Sequence, residues 1–469
     1  MDDDLIPPKP PARQGPPRLW RFLRDFRRDI LSAQSDRLYH AWMAEYRNPL
    51  VHSFTCNDPR LVDLILCQRP LDFPKSRRMA AGLEPLLGQS SFVSNGDRWL
   101  HQRRIIDPAF EGGRLRQSLP AIWQAAQSGA ARLALLADGA DVDIQPHTSH
   151  VAADAICRAM FSIPIEDRTA SQVFAAFGEH QDAQPMVNLG ALLPVPRWLR
   201  LHRRRARRSA RRIRDLVAQM VAARATQIAE GRAPDDLATK LMTLPDPQTG
   251  QRFARHEMID EVVTFFLAGH ETSASALAWA LYLLAISPAW QDRLAAEARA
   301  CLPAAGIPDL GTVRQLTVAR AVFREALRLY PPVAMTVREA RRSETLRGRT
   351  ARPGAQMVLS PWHLHRHQRL WPRPDSFDPG RWLEPAVDAC PRHAFIPFSA
   401  GPRACPGAGF AMIEGPLVLA ALLRDLAVAP GAEPPVPVMR LTLRGRDGIG
   451  LRITRRSRAA GSGPDDQRR

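Results

Sequence analysis

A chain of 469 residues has the length of two or three average domains, yet no linker divides it. Its formal charge of +18 is nearly all arginine, with Lys9, Lys75 and Lys240 its only lysines, and no nucleic-acid motif turns that excess into a nucleic-acid partner. Six scattered cysteines, with no C-x-x-C and no C-x-x-C-H, argue against a disulfide framework, a zinc site or a c-type haem attachment, and fit a reducing cytoplasm.

The chain opens on MDDD with no apolar core behind it, so no signal peptide is expected. Residues 1–17, rich in proline, read as a disordered tail, and residues 457–469 as another. PRLWRFLRDFRRDIL sets Trp20, Leu23, Phe26 and Ile30 at helical spacing among arginines. Such a helix either packs with its basic face in water or rests on an anionic membrane surface. Val51 to Thr55 reads as a strand, and Asp58 as the N-cap of a helix running to Cys67. Residues 71–96 show little periodicity. In GDRWLHQRR, Trp99 and Arg103 share one helix face, as a stacked surface pair or as a pair of ligand donors. Residues 115–230 read as several helices; within them an apolar piece punctuated by proline leads into a run of arginines, over residues 188–214. That run is either a solvated helix face or a surface for anionic lipid.

A long apolar helix follows, roughly His256 to Ile286, closed by Ser287-Pro288. His270 and Glu271 near its middle are costly in lipid, so it is read as a buried helix of a soluble protein. Ala268 and Thr272 face the same way, with Phe265 and Ala276 extending the stripe. Ala268 and Gly269 leave space, and Thr272 and Glu271 set a hydroxyl and a carboxylate at it. A helix from Thr317 to Tyr330 carries Glu325 and Arg328 three apart. PVAMTVREARR and QMVLSPWHLHRH suggest a small antiparallel sheet, with His363, His365 and His367 on one face of an exposed strand. LTLRGRDGIGLRITRR reads as a closing hairpin.

The densest pattern is FSAGPRACPG, Phe398 to Gly407. Cys405 precedes an apolar stretch fit for a helix, whose N–H groups and positive end lower a thiol pKa. Phe-x-x-Gly-x-Arg-x-Cys-x-Gly, with no position missing, resembles the haem-binding loop of the cytochrome P450 monooxygenases. Three more motifs follow that family's pattern: Trp-x-x-x-Arg at Trp99 and Arg103, Ala-Gly-x-Glu-Thr at Ala268 to Thr272, and Glu-x-x-Arg at Glu325 and Arg328 with Arg381 beyond. Gly380 stands where many members have Glu. The resemblance runs from about residue 35 to 456.

It implies a mainly α fold with a smaller β region, as one catalytic domain over residues 18–456, holding haem b with Cys405 as the proximal iron ligand. It implies propionate contacts from Trp99, Arg103, Arg338 and Arg403, and places Phe398, Gly401, Gly407, Ala268 and Gly269 around the cofactor, the glycines letting backbone approach the macrocycle. Thr272, with a water chain near Glu271, would deliver protons during oxygen activation. Glu325, Arg328 and Arg381 would form a structural triad holding the cysteine loop. Residues 71–96 would be a variable loop over the substrate pocket, and the apolar piece before the arginine run part of its lid. The implied reaction inserts one atom of O2 into a lipophilic substrate. Leu86, Leu87, Phe92, Val333, Ala334 and Ile449 suggest a fatty acid, terpenoid or polyketide. Electrons would come from a separate ferredoxin or flavodoxin with its NAD(P)H reductase, drawn by Arg98, Arg104 and Arg392. The setting would be cytoplasmic, with or without peripheral membrane contact. Two rival readings are a peroxide-driven or isomerising haem-thiolate enzyme, whose members commonly lack the acid–alcohol pair, and a haem-binding sensor without turnover.

Overall fold

The computed structural model describes residues 5–13, 29–47, 51–111, 113–183, 204–383 and 391–456. The basic helix expected near the N-terminus, the apolar lead-in to the arginine run and the C-terminal tail fall outside these residues or nearly so.

One helix, Arg255–Ala285, organises the interior. Its first turn is tied by the Glu257 carboxylate, which accepts the Ala254 N–H at 3.0 Å. Its N-terminal half, through Leu267, joins an apolar cluster with Ile156, Phe177 and Ile213. Its C-terminal half, from Ala276, joins a larger cluster with Trp123, Phe323 and Leu417 to Leu423. Full burial of such a Leu or Phe side chain contributes roughly 1.5–3 kcal/mol. Between the two clusters the helix reads AGHETSAS, and there the apolar packing lapses.

The β region is small. Four strands order as Met43–Arg47, His52–Cys56, Gln356–Leu359 and Thr336–Glu339; the middle pair is parallel and the outer pairs antiparallel. Asp58 caps the helix Pro59–Asp63, which continues as one π-helical stretch, Leu64–Gln68. The sheet from residues 333–367 forms as expected, through Thr336–Glu339 and Gln356–Leu359.

Several expectations are corrected. Residues 5–13 of the anticipated disordered tail are packed on the domain: the Tyr330 hydroxyl donates to Pro8 O at 2.6 Å, and Phe377 N–H to Leu5 O at 2.9 Å. Proline costs little chain entropy to order, and these carbonyls find buried donors. The unpatterned stretch 71–96 contains a helix, Arg77–Leu87. The three histidines do not alternate on an exposed strand. His363 lies in a short helix, Pro361–Leu364, and all three are buried. His365 Nε2 accepts the Ile396 N–H at 2.9 Å, and the His367 ring stacks on Trp42 with centroids 4.4 Å apart. Nor is the last stretch a hairpin: Leu443–Gly445 pairs with Pro437–Met439, while Gly450–Arg455 lies between Leu426–Pro430 and Asp138–Asp143. Among the described residues no single helix is long and apolar enough to cross a membrane; the bent pair Arg255–Ala285 and Pro288–Cys301 qualifies by length and composition alone.

Candidate functional site

Cys405 is fixed by backbone. Its N–H donates to Phe398 O and the Ala404 N–H to Gly401 O, each at 2.9 Å, closing the loop before the helix Ala408–Leu423. A Cβ on Gly407 would stand 3.9 Å from the Cys405 sulfur, so glycine leaves that side of the thiol uncrowded. Gly401 has another task. Its φ is +68°, and a Cβ there would lie 2.0 Å from Leu66 O, so it is demanded by the π-helical turn packed against the loop. The expected lowering of the thiol pKa by N–H groups at the helix start is present but outweighed. Burial pushes the Cys405 thiol up, against the Gly407 N–H, Arg103 and Lys75, which pull it down. The residue is nevertheless solvent-accessible. A group enclosed by protein and still accessible stands on the wall of a hollow.

Four cations converge there. Arg103 donates to Ala404 O at 2.9 Å from the helix Gly96–Phe110. Arg338 is buried and donates to Thr336 Oγ1 and Val337 O. Arg403 lies 4.0 Å over the Trp99 ring and donates to Ser94 O and Asn95 Oδ1. Lys75 donates to Phe92 O at 2.6 Å. Among the described residues no carboxylate pairs with Lys75, Arg338 or Arg403. Arg103 reaches Asp107 Oδ1 at 2.8 Å, yet neither atom has a partner in hydrogen-bond geometry. Burial lowers the Arg338 pKa to about 10, and burial with Arg338 and Arg103 lowers that of Arg403 to about 9. Burial and the same arginines depress Lys75 strongly. An unpaired buried cation such as Arg338 is costly, so this wall favours an anionic ligand. Trp99 and Arg103 share a helix face as anticipated, but the indole stacks on Arg403 instead. Lys75 was not anticipated. It lies in an unpatterned segment, and its rank as one of three lysines was the only signal.

On the central helix, Ala268 is exposed and Gly269 and Thr272 half-exposed, with buried residues on either side of them. The opening therefore faces this stripe. The Thr272 hydroxyl donates to Ala268 O at 2.6 Å. Gly269 points elsewhere: its Cβ would meet Ile156 Cδ1 at 3.0 Å, so its smallness serves packing against the helix Ile144–Phe161. Glu271 is likewise not at the opening. It is buried, with Oε1 accepting from Arg444 at 2.6 Å and Oε2 from Thr442 at 3.0 Å. Neither partner is legible in sequence, since Arg444 lies 173 residues away.

The triad assembles as expected. Glu325 accepts Arg328 Nε at 2.9 Å and Nη2 at 2.8 Å, Arg381 Nε at 3.0 Å, Trp382 Nε1 at 2.8 Å and Asp378 N–H at 3.0 Å. Arg328 also donates to His365 O, Pro374 O and Ser376 O. Burial works against the Glu325 charge, but Arg328 and Arg381 outweigh it and hold the carboxyl below its usual range. Of the residues expected to line a substrate pocket, Leu86, Leu87, Ala334 and Ile449 are core instead, whereas Phe92 and Val333 are exposed. Arg104, expected to meet a donor protein, is held bidentately by Asp246 at 2.7 Å.

An accessible cysteine, a cluster of cations of which three have no carboxylate partner among the described residues, and an opened helix face fit a flat, dianionic cofactor bound by a thiolate. A family model described as "Cytochrome P450" matches residues 40–449. Cyclooctatin synthase of Streptomyces melanosporofaciens is 31% identical, over 76% of this chain and 78% of its own. Cyclooctat-9-en-7-ol 5-monooxygenase of the same organism is 31% identical over 82% of each chain. Human cytochrome P450 4F2 is 27% identical, over 88% of this chain and 82% of its own.

Proposed function

The chain belongs to the cytochrome P450 family and is a haem-thiolate oxidoreductase of the monooxygenase type, and on that premise we propose that it uses haem b and a soluble electron donor to oxygenate a lipophilic molecule. The single observation behind the site assignment is the convergence of Lys75, Arg103, Arg338 and Arg403 beside Cys405. Cys405 would hold the iron, and the four cations would receive the two propionates. When bound, the haem supplies oxygen activation and C–H oxidation, with thiolate donation favouring O–O cleavage.

The chain's own residues do the rest. Phe265, Ala268 and Thr272 form one stripe, which bounds the space for substrate with apolar surface and a single hydroxyl. The Thr272 hydroxyl, anchored on Ala268 O, keeps its oxygen lone pairs free to accept from a water in the opening. Its own pKa is far too high for it to be the acid, so it positions a proton relay. Glu271, held by Arg444 and Thr442, would feed that relay only through water or by changing partners. Exposed Arg98 and Arg392 are the side chains offered to an acidic ferredoxin or flavodoxin. The substrate class rests on the apolar stripe and on the relative named cyclooctat-9-en-7-ol 5-monooxygenase.

The test uses the haem-loaded chain. The reduced protein with carbon monoxide should show the thiolate band that names the family, and Cys405→Ser should abolish it. Fatty acids, terpenoids and polyketides are then screened by the low-to-high-spin Soret shift, and binders are incubated with NAD(P)H and surrogate ferredoxin and flavodoxin pairs. Oxygenated product supports the reading. Product with peroxide but none with NAD(P)H points to the peroxide-driven rival, and spectral binding without any turnover to the sensor.

A further inference from the structure

A second cluster of donor atoms lies outside the haem site. Asp63 ends the helix Pro59–Asp63, Cys67 sits on the π-helical turn Leu64–Gln68, and His393 comes from the segment leading to the Cys405 loop. One donor atom from each lies within 4.8 Å of the other two. Cys67 Sγ is 3.6 Å from His393 Nε2, and His393 Nδ1 is 3.3 Å from Asp63 Oδ1. Asp63 Oδ2 is held by Gln68 Nε2 at 2.5 Å.

We propose that Cys67 and His393, with Asp63 completing the donor set, bind a single divalent cation of the zinc class. A tetrahedral ion with Zn–S near 2.3 Å and Zn–N near 2.0 Å separates its sulfur and nitrogen ligands by about 3.5 Å. The observed Sγ to Nε2 spacing of 3.6 Å is close to that value. Thiolate, imidazole and carboxylate together favour zinc over magnesium or calcium, which take oxygen donors. None of the three side chains is fully sealed, with 11% of His393 and 29% of Asp63 exposed, so water can take the open position. His393 has a φ of +67°, a costly conformation for histidine that turns this residue into the cluster.

The site was invisible in the cysteine spacing because Cys67 and His393 are 326 residues apart. It touches the catalytic loop from outside. A Cβ on Gly401 would lie 3.1 Å from the Cα of Cys67, so an ion at Cys67 and His393 clamps that turn and the loop's lead-in together.

The haem-loaded chain, stripped with a chelator and kept reduced with a phosphine, is titrated with zinc chloride by calorimetry. Bound zinc is counted after dialysis. The expected result is one zinc per chain, with affinity at least tenfold weaker in Cys67→Ser and in His393→Gln and an unchanged Soret spectrum in both. Two results overturn the site: a parent chain that retains no zinc, or zinc bound equally well by folded Cys67→Ser or His393→Gln. The Soret spectrum shows which variant is folded, and either one suffices.

Discussion

Arg444 holds the carboxylate of Glu271 at 2.6 Å, although Glu271 is the neighbour in sequence of Thr272, which faces the opening. Successive helix residues point about 100° apart, so the acid and the alcohol of one motif work from different sides of the helix. Thr272→Ala is expected to keep the substrate-induced Soret shift and NAD(P)H consumption while diverting electrons to hydrogen peroxide. The ratio of product to NAD(P)H oxidised should fall at least fivefold, with peroxide counted in parallel. A variant as well coupled as the parent would remove Thr272 from the relay.

Arg444→Ala strands the buried Glu271 charge with Thr442 and the His270 ring, 3.6 Å away, beside it. Breaking such a pair costs about 3–5 kcal/mol, reduced here because a quarter of the Arg444 side chain is exposed. Chemical denaturation should show a loss of about 2 kcal/mol. Glu271→Gln in the same background should restore part of it, since the stranded charge is then gone. An additive double variant would show that the two groups are not coupled.

Glu325→Ala or Arg328→Ala should yield little folded holoprotein. Both side chains are fully buried, and removing one leaves the other uncompensated, at about 3–5 kcal/mol. Removing Glu325 also orphans Arg381 and Trp382 Nε1. Expression yield and haem content per chain provide the check; a variant with normal haem content would reduce the pair to a surface bridge in effect.

Arg338→Met should act with opposite sign on the two forms of the protein. In the cofactor-free chain it removes a buried cation without a carboxylate, so thermal unfolding of that form should move up or stay level. In the loaded chain it removes a propionate partner, so haem transfer to a scavenger protein should be about tenfold faster, or about 1.4 kcal/mol. Equal destabilisation of both forms would mark Arg338 as structural only.

Glu414 supplies a pH test. Burial pushes its carboxyl up to about 8, against a hydrogen bond from Ser273. Its folded pKa lies above its unfolded value, so the native state binds the extra proton and stability falls as pH rises from the ordinary carboxyl range toward 8. Within that range each step of one in pH removes up to about 1.4 kcal/mol. Glu414→Gln keeps the shape without the titration. Its stability relative to the parent should therefore grow between pH 6 and pH 8, as read by urea midpoints at each pH. A parallel pair of pH profiles would mean that Glu414 is ionised in the native state.

What the sequence determined by itself was local. The ten positions around Cys405, the i, i+4 stripe of Ala268 and Thr272, and the i, i+3 pair Glu325–Arg328 all depend on spacing within one loop or helix, and chain geometry fixes those wherever the element forms. The boundaries of the central helix were legible for the same reason, through its apolar run and Ser287-Pro288. Tertiary structure alone decided everything that depends on which distant side chain arrives. It put Arg444 on Glu271, Arg403 on Trp99, Ile156 against Gly269 and Leu66 O against Gly401. It also buried three histidines that the alternation placed on an exposed strand, because a short helix there replaces the period of two with turns that face inward. Charge shows the same division. The sequence tells that Lys75, Arg103, Arg338 and Arg403 are cations, but only folding brings them to one wall, where Asp107 reaches Arg103 and no described carboxylate pairs with the other three.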